Sequence, residues 1–178
     1  MTSPQTLTLA ERRLVAAWAA ACAERVLPIF EAEAAADERP RDAIARARAF
    51  SRGDLDADGE IRRRFVAGRA AHSASSPAGK AAARAAAQAA GVAHMGAHAL
   101  GAAAYAARAA DLGHPEDQDA LIREVRWQLR QLTSPAREAL NRLPGLGEDS
   151  AGPLGAGLLA SGQLGAIIRL VQSRLNDS

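Results

Sequence analysis

His94 and His98 stand four residues apart in a stretch of small residues. On a helix that spacing puts both imidazoles on one face, where two ring nitrogens can share a zinc ion. A closed site needs further ligands. Between the pair lie Met95, Gly96 and Ala97, without the glutamate that acts as general base in the zinc-protease motif. His72, His114 and the single Cys22 sit at no spacing that ties them to the pair. The histidines therefore read first as hydrogen-bonding groups between helices. A metal-binding hydrolase using His94 and His98 is the alternative, and a helical small-ligand or regulatory domain is a third reading.

Other chemistries find less. Cys22 falls on an apolar stripe and reads as a small core residue rather than a nucleophile. Asp54, Asp56, Asp58 and Gly59 resemble the opening of a calcium loop, but Phe65 occupies the twelfth position, where a glutamate is required. Gly79-Lys80 lacks the upstream glycine and the following hydroxyl of a phosphate loop, and no strand precedes the late glycines, so no cofactor is expected. Arg62, Arg63, Arg64 and Arg69 form a basic cluster. It could contact phosphate or an acidic protein surface, and without a reading motif it is a weak signal for nucleic acid. Trp127 lies off the apolar stripe of its own predicted helix. Arg62, Arg63, Arg69 and Trp127 are therefore the candidates for contact with a partner, because Arg and Trp are enriched at interface hot spots.

Helices must position these groups. Of 178 residues 46 are alanine and only six are aromatic, while valine, isoleucine and threonine are scarce, so strands are poorly supplied. Thr8 and Glu11 have capping-box spacing and start a first helix with Val15, Trp18, Cys22, Val26 and Ile29 on one face. Pro28 should kink or end that helix. Pro40 is placed to open a second helix, whose buried face is Ile44, Ala47 and Phe50 and whose cap is Gly53. A third helix is expected over residues 60–74, with Ile61, Phe65, Gly68 and His72 on one side. Residues 77–110 are alanine-rich and should break near Gly91. The part from 92 to 110 should be central, since small side chains admit neighbours at short distance on several sides. His114-Pro115 should start another helix, with Ile122, Val125, Leu129 and Leu132 inward. Ser134-Pro135 begins a short one. Residues 145–165 read as a glycine-rich flexible connection. A last amphipathic helix carries Leu164, Ile167 or Ile168, Val171 and Leu175.

The expected architecture is all-α: a single compact bundle of about six or seven helices over residues 1–144, followed by the connection and C-terminal helix of 145–178. That last stripe must be buried against its own bundle or against a second copy, a homodimer contact through the C-terminal helix. The 22 basic and 20 acidic residues nearly balance. Arginine outnumbers lysine 21 to 1, which with the alanine excess suggests a GC-rich bacterial genome. Residues 1–11 have neither a basic region nor an apolar run, so no signal peptide is expected. The late apolar stretch is interrupted by Gln163 and Arg169, so no membrane span is expected. A cytoplasmic setting follows.

Two stretches are more specific. One runs from Arg39-Pro40-Arg41-Asp42-Ala43-Ile44 through Ala47-Arg48-Ala49-Phe50 to Arg52-Gly53-Asp54. The other is Ala89-Ala90-Gly91, then His94-Met95 and His98-Ala99-Leu100-Gly101-Ala102-Ala103-Ala104-Tyr105-Ala106. With Trp18, Cys22-Ala23-Glu24-Arg25-Val26-Leu27-Pro28 and Trp127-Gln128, they resemble the immunity-protein-five-like group of bacterial polymorphic toxin systems. The likeness covers about residues 10–132. It implies a small helical protein that binds a cognate toxin without enzymatic activity. It carries over no catalytic, cofactor or metal residues.

Overall fold

The computed structural model describes residues 3–63 and 65–176, without the side chain of Ile61. Arg64, and the side chain of Ile61 expected on one side with Phe65, Gly68 and His72, lie outside the described residues. The α-helices are α1 Leu9–Ala34, α2 Arg39–Arg52, α3 Ala57–Arg63, α4 Pro77–Gly91, α5 His98–Gly113, α6 Ala120–Arg130, α7 Ser134–Asn141 and α8 Gly162–Arg174. Short 3-10 helices occupy Pro4–Thr6, Ala67–Ser73 and Leu158–Ala160. No strand occurs among the described residues. The fold is the expected all-α bundle, with slightly more helices than anticipated.

The start of α1 follows from its sequence. Thr8 Oγ1 accepts from the Glu11 N–H at 3.3 Å, and Glu11 Oε2 accepts from the Thr8 N–H at 2.8 Å. Two orphan donors are thereby satisfied. Pro28 does not end the helix: α1 continues through it to Ala34. Proline frees the carbonyl of the residue four positions earlier. That residue, Glu24, and Pro28 itself are both exposed, so water can take the lost bond. At the far end Glu33 accepts from the Ser75 and Ser76 N–H groups at 2.8 and 2.9 Å, tying α1 to the start of α4. Hydrogen bonds from Ser76 and Ser75 hold the Glu33 carboxyl down to about 2.

α2 ends as its sequence predicts. Gly53 adopts φ +84°, and the Gly53 and Asp54 N–H groups donate to Phe50 O and Ala49 O. This left-handed cap is one that glycine adopts without steric cost. The third helix differs from expectation. Asp56 Oδ1 accepts from the Gly59 N–H at 2.7 Å, which is N-cap geometry, so α3 begins at Ala57 rather than Glu60. After Arg63 the chain leaves the α-helix and re-forms as a 3-10 helix, whose Ala67, Ala70 and Ala71 are buried. This segment packs on α4. α6 also starts later than expected. Asp117 accepts from the Asp119 N–H and pairs with Arg123, holding the preceding residues in a turn, and the helix begins at Ala120.

α5 is the central element. Leu100, Tyr105 and all its alanines from Ala99 to Ala110 are buried, and it packs against α1, α4, α6 and α8. The expected break near Gly91 falls where α4 ends, and residues 92–97 turn the chain into α5. The inward face of α6 is more polar than its stripe suggested. Ala120, Glu124, Val125 and Gln128 are buried, whereas Ile122 is exposed. Gln128 Nε2 donates to Ala103 O at 3.0 Å, and the Gln128 carbonyl accepts from Trp18 Nε1 at 2.8 Å. One residue thus joins α1, α5 and α6.

The glycine-rich segment is tied down rather than free. Gln5 is 1% exposed. Its Nε2 donates to Asp149 Oδ2 at 2.8 Å and to Ala151 O at 2.7 Å, and its Oε1 accepts from the Leu154 N–H at 2.9 Å. The Gln5 carbonyl also accepts from the Ala97 N–H at 3.0 Å. A single glutamine therefore fastens the N-terminus, the turn before α5 and the late loop. α8 buries Leu164, Ile167, Ile168 and Val171 and lies on α5 and α6. Its stripe is covered within the chain, the first of the two alternatives raised above. Among the described residues no helix is long and apolar enough to cross a membrane.

Candidate functional site

The faces of α4 and α5 that carry polar residues meet at one cleft. From Ala81 to Ala90 on α4 every residue is alanine except Arg84 and Gln88. These two are four apart and share a face with Gly91. On α5, His98, Gly101 and Tyr105 align at helical spacing. Arg84, Gln88, Gly91, His98 and Tyr105 line a cleft of about 840 Å³. The 3-10 helix contributes Arg69 and His72, and the turn before α5 contributes His94 and Met95. The late loop adds Gly152, Pro153 and Leu159 as a further wall.

Two glycines permit the approach. A methyl on Gly91 would stand 3.0 Å from the His98 ring, and one on Gly101 would stand 2.9 Å from Gln88 Cδ and 3.1 Å from Leu159 Cδ1. His98 Nδ1 sits 2.8 Å from Gln88 Oε1. The amide oxygen accepts, so the ring proton resides on Nδ1. The rings of His94 and His98 are 6.5 Å apart between centroids and tilted by 39°. Tyr105 is 3% exposed, and its hydroxyl finds no hydrogen-bond partner among the described residues. Burial raises its pKa, against the opposing pull of Arg84 and Arg108, so it remains a neutral donor. Arg69 and Arg84 are exposed and make no ion pair among the described residues. Among the described residues, no carboxylate lines the cleft.

The predicted residues are divided by the fold. His94, His98, His72 and Arg69 come together in the cleft. Arg62 and Arg63 are exposed on α3 and do not line it, and Arg63 Nη2 lies 3.5 Å from Asp42 Oδ2. Cys22 is wholly buried, which pushes its thiol pKa up. His114 turns its Nδ1 to Ala110 O at 2.9 Å, at the end of α5. Among the described residues no group of three or more His, Cys, Asp or Glu gathers to hold a metal ion. The hydrolase alternative therefore gains no ligand set from the fold. Sequence reasoning missed Arg84, Gln88 and Tyr105. The signal for the first two was present, as the only interruptions of an alanine run.

Trp127 is half-buried, and the Arg25 guanidinium lies over its ring at 4.3 Å from the centroid. Arg25 Nε also donates to Glu124 Oε2 at 2.8 Å. The indole is thus covered on one face by a cation, a contact of about 0.5–2 kcal/mol. Trp18 is 3% exposed. In acrylamide quenching, the Trp18→Phe variant, which reports Trp127, is expected to show a Stern–Volmer slope at least about twice that of Trp127→Phe. Equal slopes would mean that Trp127 is as sealed as Trp18.

The molecule is an all-α protein with a cationic cleft between its central helices. It belongs to the Imm-5 like putative immunity protein family, whose model matches residues 5–135. No curated protein and no solved structure matches the chain. Most of the cleft lies inside the matched region, but Gly152, Pro153 and Leu159 lie beyond it.

Proposed function

We propose that this chain is a non-enzymatic immunity protein that binds and neutralises a cognate bacterial protein toxin in the cytoplasm of the producing cell. The observation that carries the reading is the family match over residues 5–135. The surface adds support. Arg62 and Arg63 stand exposed on the short helix α3, and a basic face of this kind suits an acidic partner surface. Trp127, half-exposed beneath Arg25, offers a second contact of the type that anchors interfaces.

The test begins with the neighbouring genes, where the reading expects a secreted toxin to be encoded, and uses that toxin. Mixed in equal amounts, the two proteins should co-elute as a complex, and co-expression should restore growth of cells making the toxin. The Arg62→Glu/Arg63→Glu variant should weaken the complex by about tenfold or more. A toxin that remains fully active, with no complex at micromolar concentration, would refute the reading. A wild-type complex with unchanged affinity in the double variant would remove α3 from the contact surface.

A further inference from the structure

The cleft between α4 and α5 has more chemistry than packing requires. Its volume of about 840 Å³ falls within the range of small-molecule sites, about 300–1,000 Å³. A bare inorganic anion would leave most of it empty. The charge is one-sided: among the described residues, Arg69 and Arg84 line it with three imidazoles and no carboxylate. Neither arginine has an ion-pair partner among the described residues, although most arginines of α1 and α2 are paired with acids. Guanidinium groups bind phosphate oxygens in a fixed fork, more strongly than neutral donors do. Tyr105 lines the cleft, and its hydroxyl has no hydrogen-bond partner among the described residues. A phenol hydroxyl open to the cleft can donate to a phosphate oxygen.

The remaining lining is flat or apolar. His94, whose ring lies 6.5 Å from that of His98, adds an aromatic face to the lining, and Met95, Pro153 and Leu159 close the apolar part. Gln88 presents an amide whose oxygen is engaged by His98 and whose NH₂ remains a donor. An anchor of two arginines and a phenol, beside an aromatic face, matches a phosphate joined to a heteroaromatic ring.

We propose that this cleft is a binding site for a phosphorylated heteroaromatic compound, of which a nucleoside monophosphate is the smallest common example. The site does not depend on the toxin-binding reading, since α3 and Trp127 lie outside the cleft lining. Leu159 and Pro153 come from beyond the family match, so the wall facing the ring is contributed by the C-terminal part of the chain.

Isothermal titration of the full chain with AMP, GMP, CMP and UMP in turn provides the test, with adenosine and inorganic phosphate as controls. At least one nucleotide should bind at one per chain, at least about tenfold tighter than either control, because only the nucleotide engages both halves of the cleft. The Arg69→Ala/Arg84→Ala variant changes two exposed side chains and should weaken binding at least about tenfold. Tyr105→Phe removes only the hydroxyl and should weaken it about threefold to tenfold. Arg41→Ala, which breaks a pair with Glu31 away from the cleft, should leave binding unchanged. Thermal melts of every variant confirm that it is folded. The proposal is overturned if none of the four nucleotides saturates at millimolar concentration. It is equally overturned if adenosine or phosphate alone binds as well, or if the double arginine variant binds as the wild type does.

Discussion

Truncation after Asp149 is expected to abolish cooperative folding. The deleted segment carries Leu154, Leu159, Leu164, Ile167, Ile168, Val171 and Leu175, all buried. Each contributes about 1.5–3 kcal/mol of transfer free energy before ordering costs. A domain typically has only about 5–15 kcal/mol of net stability. The truncation also removes the Ala151 carbonyl and the Leu154 N–H, leaving the Gln5 amide without two of its partners. A melt followed by far-ultraviolet circular dichroism should show no sigmoidal transition. An unchanged midpoint would show that the residues after 149 contribute nothing to the bundle. Because the stripe of α8 is satisfied within the chain, the effect should not depend on protein concentration.

Phe30→Ala should cost about 3–5 kcal/mol, which for a chain of this size lowers Tm by about 6–20 °C. Phe30 is fully buried. The upper part of the range is favoured by the character of the core. Its commonest member is alanine, which has no rotamer with which to move into a void. Phe65→Ala is the control. That ring is 63% exposed, and its loss should change stability by about 0.5 kcal/mol or less. Scanning calorimetry on both variants decides the matter. A loss below about 1 kcal/mol at Phe30 would show that the small-residue core can collapse after all.

The helices were legible where local signals act alone. The capping box at Thr8 and the left-handed Gly53 depend on a few neighbouring residues, and both occur as read. The break at Gly91 and the central place of α5 followed from small side chains. That α1 does not end at Pro28 was not legible, because the cost of a proline depends on whether the freed carbonyl faces water, and this is a property of the packed bundle. α3 and α6 began elsewhere because Asp56 and Asp117 accept backbone N–H groups, and several acids in each loop competed for that role. In the cleft, His94 and His98 were visible as a pair, but their company was not. Arg69 and Tyr105 are brought together by the packing of the 3-10 helix and α5 on α4, and Pro153 arrives from a loop anchored by Gln5. No local pattern encodes that anchor, since a glutamine near a chain end is ordinarily solvated.

The alanine interior has a thermal consequence. The heat capacity of unfolding rises with newly exposed apolar area, by about 0.45 cal/K/mol per Å², and falls with exposed polar area. Residues such as Ala83, Ala85, Ala102, Ala103 and Ala106 are wholly buried, yet each hides only a methyl group. Their peptide groups, hidden along with them, count in the opposite direction. The heat capacity increment per residue should therefore lie below the usual value of about 12–15 cal/mol/K. A small increment flattens the dependence of folding free energy on temperature, so that the bundle loses little of its stability on moving several tens of degrees from its optimum in either direction.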